Sequence, residues 1–375
     1  MAGLYIHVPF CAGRCTYCDF FSQTETKYKA PFVQAIVREL EMRKEYLNDE
    51  PIETIYFGGG TPSQLQLSDF ECIFESIERF YGLSACREIT LEANPDDLSP
   101  EYLSTLQSLP FNRISLGVQS FRDEDLRMLN RRHNGRQAVD AIHLCRDKGY
   151  TNLSLDLIYG LPGQTPEMWE ENLDTALRLD MPHLSAYHLS YEEGTVIHRQ
   201  LENGMIRPVD EETSVHLFHT LINRLTAAGY LHYELSNFGK PDCFSRHNTA
   251  YWTGRKYIGL GPAAHSYDHV SRQWNIASLP EYIRGIIRGT PAIEKEILDL
   301  RSQYNDYVMT RLRTMWGIRL STLRETFGQE LSAYFLRQAQ PHLRNGMLQK
   351  TDETIRFTSS GLFVSDGILS DLMKL

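Results

Sequence analysis

Three cysteines stand within eight residues, in the run Cys11-Ala-Gly-Arg-Cys15-Thr-Tyr-Cys18, and Gly13 offers a tight turn between the first two. The chain has 7 cysteines, an odd number, and Cys72, Cys86, Cys145 and Cys243 are scattered singly. In a reducing compartment such a trio reads as metal ligation rather than a disulfide framework. Three thiolates are one short of a complete set. A 4Fe-4S cluster held by three leaves one iron open, and the amine and carboxylate of an amino acid can chelate it. The competing reading is a zinc knuckle, in which His7 supplies the fourth ligand of an H-x3-C-x3-C-x2-C arrangement.

A second motif favours the cluster. Gly58-Gly59-Gly60-Thr61-Pro62 ends the next β-rich run, and consecutive glycines let backbone approach a ligand closely. A glycine-rich strand end is by itself commonly a turn. One strand away from the cysteine loop, it gains weight.

These loops need a scaffold to bring them together. Short β-rich runs recur at Leu4 to Val8, Ile52 to Phe57, Glu88 to Glu92, Asn112 to Val118, Asn152 to Ile158 and His183 to Leu189, with an extended piece at His232 to Leu235. Helical stretches such as Ala30 to Tyr46, Ser68 to Tyr81, Gln137 to Lys148 and Pro166 to Leu179 lie between them. That alternation is the pattern of βα units on a parallel sheet. The expected fold is α/β, a partial (β/α)6 TIM-like barrel whose active face lies at the carboxyl ends of the strands, where the βα loops gather. After about residue 240 the alternation fades into a Gly- and aromatic-rich stretch. From Asp299 helical patterning leads to a β-like tail at Thr354 to Thr358, which reads as a smaller, mostly helical C-terminal domain.

With 375 residues, 42% of them hydrophobic, the chain can bury a sizeable core. A formal net charge of -10 argues against a nucleic-acid surface, and Arg131-Arg132-His133 is too short a basic patch to alter that. No basic leader and no apolar run of bilayer length is evident, so no membrane span is expected and the expected location is the cytosol.

Tyr5-Ile-His-Val-Pro-Phe-Cys11, the cysteine loop, the GGGTP run and Gly117-Val-Gln119 together resemble the radical SAM branch that contains oxygen-independent coproporphyrinogen III dehydrogenase. The likeness runs across most of the chain. It implies a 4Fe-4S cluster on Cys11, Cys15 and Cys18 with S-adenosyl-L-methionine (SAM) on the fourth iron. Electron transfer into the sulfonium would give methionine and a 5′-deoxyadenosyl radical. The resemblance implies that Tyr5, Gly59 and Glu92 meet this SAM, and that Tyr17, Gly60, Thr61, Gln119, Arg131 and Asp156 line the adjoining pocket. Each also has a plainer reading: Asp156 as a helix cap, Arg131 as a solvated charge, Tyr17 as packing.

Two departures set the chain apart from the dehydrogenase. Phe20 stands where the dehydrogenase pattern has a fourth cysteine, and only ten residues precede Cys11, where the dehydrogenase has a longer segment that contacts the porphyrinogen. His247-Asn248-Thr-Ala-Tyr251-Trp252 fits instead the H-N-x-x-Y-W signature of the heme-chaperone family in this branch. A loop histidine beside two aromatics can offer an imidazole to heme iron and flat apolar faces to the porphyrin. The plainer alternative is a histidine hydrogen-bonded in a core with Trp252 packed at a domain boundary.

The resemblance therefore implies a heme chaperone that carries a cluster and SAM, binds heme and passes it to an acceptor hemoprotein, with no catalytic residue assigned. The alternative is the dehydrogenase itself. The implied division is a radical SAM core barrel over 1–240, a connecting region with the H-N-x-x-Y-W motif over 241–298 and a dehydrogenase-like C-terminal domain over 299–375. Whether the chain forms a homodimer stays open. The other histidines, including His188, His216, His232 and His265, show no ligand spacing and are assigned nothing.

Overall fold

Strands joined through helices must run parallel, because a crossover returns the chain to the edge it left. A computed structural model of the chain, describing residues 1–375, shows this for six successive strands. They are β1 (Ala2–Val8), β2 (Ile52–Gly59), β3 (Glu88–Ala93), β4 (Arg113–Gln119), β5 (Leu153–Tyr159) and β6 (His183–His188). All pair in parallel and in sequence order. Beyond β6 a hairpin of β7 (Leu231–Glu234) and β8 (Asn237–Gly239) closes that edge antiparallel. Each expected strand forms, with ends displaced by a residue or two.

The other edge was not legible as strands. Residues 241–298, read from the sequence as a connecting region, supply β9 (Tyr257–Leu260), β10 (His265–Tyr267), β11 (Ser271–Asn275) and β12 (Ile293–Ile297). β9 runs parallel beside β1, and β10, β11 and β12 follow antiparallel, so one twelve-stranded sheet runs β12-β11-β10-β9-β1-β2-β3-β4-β5-β6-β8-β7. Strands of three to five residues with glycines between them carry too little periodicity to stand out.

Along the central strands the two faces differ in chemistry, as period-two alternation requires. Leu4, Ile6, Val8, Ile55, Phe57, Leu91, Ile114, Leu116, Leu155 and Leu157 point into the helices that cover the sheet and are buried. Each such aliphatic side chain contributes roughly 1.5–3 kcal/mol of burial. The alternate residues Tyr5, His7, Tyr56, Glu92, Ser115, Asp156 and Ser185 form the inner face, which is polar. The covering helices start on conventional caps: Asn134 and Gln137 form a capping box, and Thr165 caps Pro166–Arg178.

The C-terminal part has its own apolar cluster around Tyr304, Val308, Leu323, Phe335 and Leu369. It combines the helix Leu300–Leu312, the helical segment Leu320–Arg344 broken at Gly328, and a three-stranded sheet of β13 (Ile318–Arg319), β14 (Leu348–Thr351) and β15 (Thr354–Phe357). No helix is long and apolar enough to cross a membrane.

Candidate functional site

The cysteine loop leaves the carboxyl end of β1 and is tied down by backbone hydrogen bonds at both ends. Cys11 N donates to Gln23 O at 2.9 Å, Thr16 N to Leu129 O at 3.1 Å and Ile197 N to Thr16 O at 2.9 Å. Cys11, Cys15 and Cys18 are free thiols, each partly buried, and all three line one cavity of about 430 Å³. Two of the sulfurs accept hydrogen bonds. Thr61 Oγ1 donates to Cys11 Sγ at 3.6 Å, and Arg131 Nη1 donates to Cys15 Sγ at 3.3 Å. Burial pushes the Cys18 thiol up to about 11, so a ligand that takes it as thiolate must displace a proton.

The same cavity collects the residues expected beside the cluster. Tyr17, Gly59, Gly60, Thr61, Glu92, Gln119, Arg131 and Asp156 all line it. Glu92, on the inner face of β3, accepts from Tyr56 Oη at 2.6 Å and from Gly59 N at 3.2 Å. Burial, with the Asp156 charge adding, pushes Glu92 up to about 7 against the pull of those hydrogen bonds. Burial likewise lifts Asp156 to about 6, although Ser185 and Arg113 favour its charged form. Two enclosed carboxyl groups that titrate near neutrality suit a cationic ligand. Gln119 has φ +70, where a glutamine rarely sits, and β4 slips register against β5 at that point. Strain of this kind persists only where the surroundings hold it.

Arg131 gives the clearest test of fit. Its direct partners are the Cys15 sulfur, Asn94 Oδ1 and Gly117 O, none of them a carboxylate, and its Nε is buried without a partner. Burial opposes its charge, but the neighbouring Tyr17 and Cys15 outweigh that and hold it cationic. A guanidinium aimed at thiols, with a donor left over, fits an anionic thiolate cluster in this cavity.

The geometry does not favour the zinc arrangement. His7 engages Tyr5 Oη through Nδ1 at 3.1 Å and Phe21 O through Nε2 at 2.8 Å, so neither ring nitrogen is free. No three His, Cys, Asp or Glu side chains converge where a single ion could sit.

The glycines are also required by the protein's own packing. A Cβ on Gly60 would meet the carbonyl oxygens of Val8 and Phe10 at 2.8 Å, and one on Gly58 would meet Tyr56 at 2.8 Å. Gly59 combines φ +104 with a Cβ position 2.5 Å from His7 Nδ1. The crowding atoms are the protein's own, so the run packs the second strand against the first loop.

Two expected residues stand apart from this cavity. Tyr5 turns its hydroxyl to His7 and lines a different cavity. His247 is not on a loop but in the helix Arg246–Trp252, at 1% exposure. Its Nδ1 pairs with Thr54 Oγ1 at 2.8 Å and its Nε2 with Tyr251 Oη at 2.8 Å, while Glu88 accepts its backbone N–H at 2.9 Å. Burial lowers its pKa to about 3. Thr54 lies five residues before Gly59 on β2, about 16 Å along the strand at roughly 3.3 Å per residue, and the imidazole stacks on Tyr56 with ring centroids 5.1 Å apart. With both ring nitrogens engaged, it has no lone pair free for iron. Here the plainer alternative describes the geometry.

The larger cavity, about 960 Å³, lies between β1, β9 and β10 on one side and the helices Leu300–Leu312 and Leu320–Arg344 on the other. Asp19 and Phe20 line both cavities. His265, His269 and Arg311 on its walls were missed. The signal available was the alternation His265-x-Tyr267, which puts two side chains on one face of β10, while His269 lies in the turn beyond it with φ +79.

A parallel-sheet partial barrel whose first loop carries three cysteines, opposite a glycine-ended second strand, defines the radical SAM class. Residues 5–176 match the Radical SAM superfamily and 298–364 the HemN C-terminal domain. The solved coproporphyrinogen III oxidase HemN of Escherichia coli, a radical SAM enzyme, shares the fold with a TM-score of 0.85 over 100% of this chain and 90% of its own, at 22% identity. Against the heme chaperone HemW of Lactococcus lactis the chain is 31% identical over 370 residues, 98% of this chain and 96% of that one. HemW of Bacillus subtilis gives 31% over 98% of both chains, and HemW of Escherichia coli 38% over 70% of this chain and 69% of its own. The chain belongs to the HemW family.

Proposed function

We propose that the chain is a heme chaperone of the cytosol that holds a 4Fe-4S cluster on Cys11, Cys15 and Cys18, binds SAM at the open iron, and passes heme to an acceptor hemoprotein. The observation that carries this reading is the cavity that joins three free thiols, Arg131 on Cys15 and the enclosed carboxyl of Glu92. When bound, the cluster supplies a low-potential electron and an open iron that an amino acid can chelate. The chain's own residues do the rest. Thr61 and Arg131 stabilise thiolate charge by hydrogen bonding, as outer partners of metal ligands do. Glu92 offers an acceptor to a cationic group, Asp156 adds negative charge deeper in the barrel, and Tyr17, Gly60 and Gln119 shape the wall. The cargo reading rests on family membership.

One preparation tests the whole reading. Anaerobically reconstituted protein is titrated with hemin and, on the same sample, assayed for coproporphyrinogen III consumption with SAM and reductant. Stoichiometric hemin binding without consumption of the porphyrinogen supports the chaperone. Porphyrinogen decarboxylation at a sustained rate replaces it with the dehydrogenase, and absence of hemin binding by a cluster-loaded sample removes the cargo.

A further inference from the structure

His247 leaves the heme without an obvious ligand, so the histidines of the chain divide by whether a ring nitrogen is free. His7, His183 and His247 engage both nitrogens with protein atoms. His265 stands on β10 facing the 960 Å³ cavity, makes no hydrogen bond through its ring, and is held by stacking on Trp274 with centroids 5.8 Å apart at 25°. Burial and the neighbouring Arg272 lower its pKa, which keeps the imidazole in the neutral form that binds metal.

The rest of the cavity suits a flat, apolar, carboxylated ligand. Its volume is at the upper end of the roughly 300–1,000 Å³ typical of small-molecule sites. Tyr257, Tyr267, Tyr307 and Phe327 supply aromatic walls from both the sheet edge and the C-terminal helices. Two arginines reach it, and they differ. Arg272 is charge-paired with Glu296 at 3.3 Å and Asp306 at 3.5 Å. Arg311 has no carboxylate partner; its Nη2 donates to Thr253 O at 2.7 Å and the guanidinium lies 5.5 Å from the Tyr307 ring centroid. Burial lowers its pKa, so an incoming carboxylate would relieve an uncompensated charge.

We infer that this cavity, between the sheet edge and the C-terminal helices, is the iron-porphyrin site, with His265 as axial imidazole and Arg311 as the anchor of one propionate. The inference rests on the heme reading above and assigns that cargo a place. Phe20, 61% exposed and shared by both cavities, then forms the partition between cargo and cluster.

The test is a hemin titration of cluster-loaded full-length protein and of H265A, R311Q and T310W, followed at the Soret band. H265A should shift the Soret band or change the spin state and weaken binding at least about tenfold, with added imidazole restoring the spectrum. R311Q should weaken binding with the spectrum unchanged, and T310W, which fills the cavity, should abolish it. Iron content like the wild type in all three excludes misfolding. Hemin binding that survives H265A and T310W intact overturns this site and leaves the chaperone reading standing. A wild type that binds no hemin while holding its cluster overturns both.

Discussion

The guanidinium of Arg131 donates to the Cys15 sulfur at 3.3 Å from a residue 116 positions away, while its own Nε stays buried and unpartnered. The connection between β4 and β5 thus supplies positive charge to the loop after β1. A cluster that carries net negative charge is held more firmly by such a donor.

Arg131→Met removes that charge and the donor together. Cluster retention against a chelator should fall by about 10- to 100-fold, the usual loss when an outer partner of a metal ligand is deleted. R131K keeps the charge and should recover part of it. Iron and sulfide remaining after timed exposure to a chelator measures this, and equal retention in R131M and wild type would count against the contact.

With Glu92 at the proposed SAM site, SAM binding should depend on pH. Its carboxyl is raised from 4.5 to about 7 in the folded protein, so the folded state binds its proton more tightly than the unfolded state. Its contribution to stability is therefore complete below pH 4.5 and declines as the pH rises toward about 7. A cationic ligand reverses the preference by favouring the carboxylate, so SAM affinity should rise with pH through about 7. Glu92→Gln should flatten that profile and weaken SAM by about 10- to 100-fold, as loss of a hydrogen bond to a charged group does. Calorimetry at several pH values decides it; a profile that persists in E92Q assigns the titration elsewhere.

His247→Ala should act on stability. Both ring nitrogens are engaged, and removal strands the hydroxyls of Thr54 and Tyr251 in the barrel interior. The expected loss is about 1–3 kcal/mol for each group left unsatisfied. Urea unfolding at constant slope measures it, with the cluster and Soret spectra checked alongside. Unchanged stability together with altered heme ligation would restore His247 as a ligand.

The parts of the fold that were legible are those with a strong period. β1 to β5 are largely buried, with aliphatic residues at every second position, and are separated by long amphipathic helices, so they stand out. β9 to β12 are too short and too mixed, and the helix Arg246–Trp252 spans only 7 residues, less than the length over which a helical period shows. That is why His247 read as a loop residue. The thiol loop, the glycine run, Glu92, Gln119, Arg131 and Asp156 converge because each lies at or near the carboxyl end of a strand or on its inner face. Tyr5 belongs to the same face but is displaced toward the other cavity by its pairing with His7. Which glycine neighbours are crowded, and which histidine keeps a free nitrogen, depends on contacts between strands and is written in no local pattern.

The central claim is that Cys11, Cys15 and Cys18 together hold an iron-sulfur cluster, and metal analysis after anaerobic reconstitution tests it most directly. Wild type should carry about four irons and four sulfides per chain with the absorbance and, once reduced, the paramagnetic signal of a 4Fe-4S cluster. The three single Cys→Ala variants should lose it. Cys72→Ala, whose thiol is exposed and distant from the cavity, should not. Stoichiometric zinc in the native protein, or a cluster that survives the loss of Cys11, Cys15 or Cys18, would contradict the account.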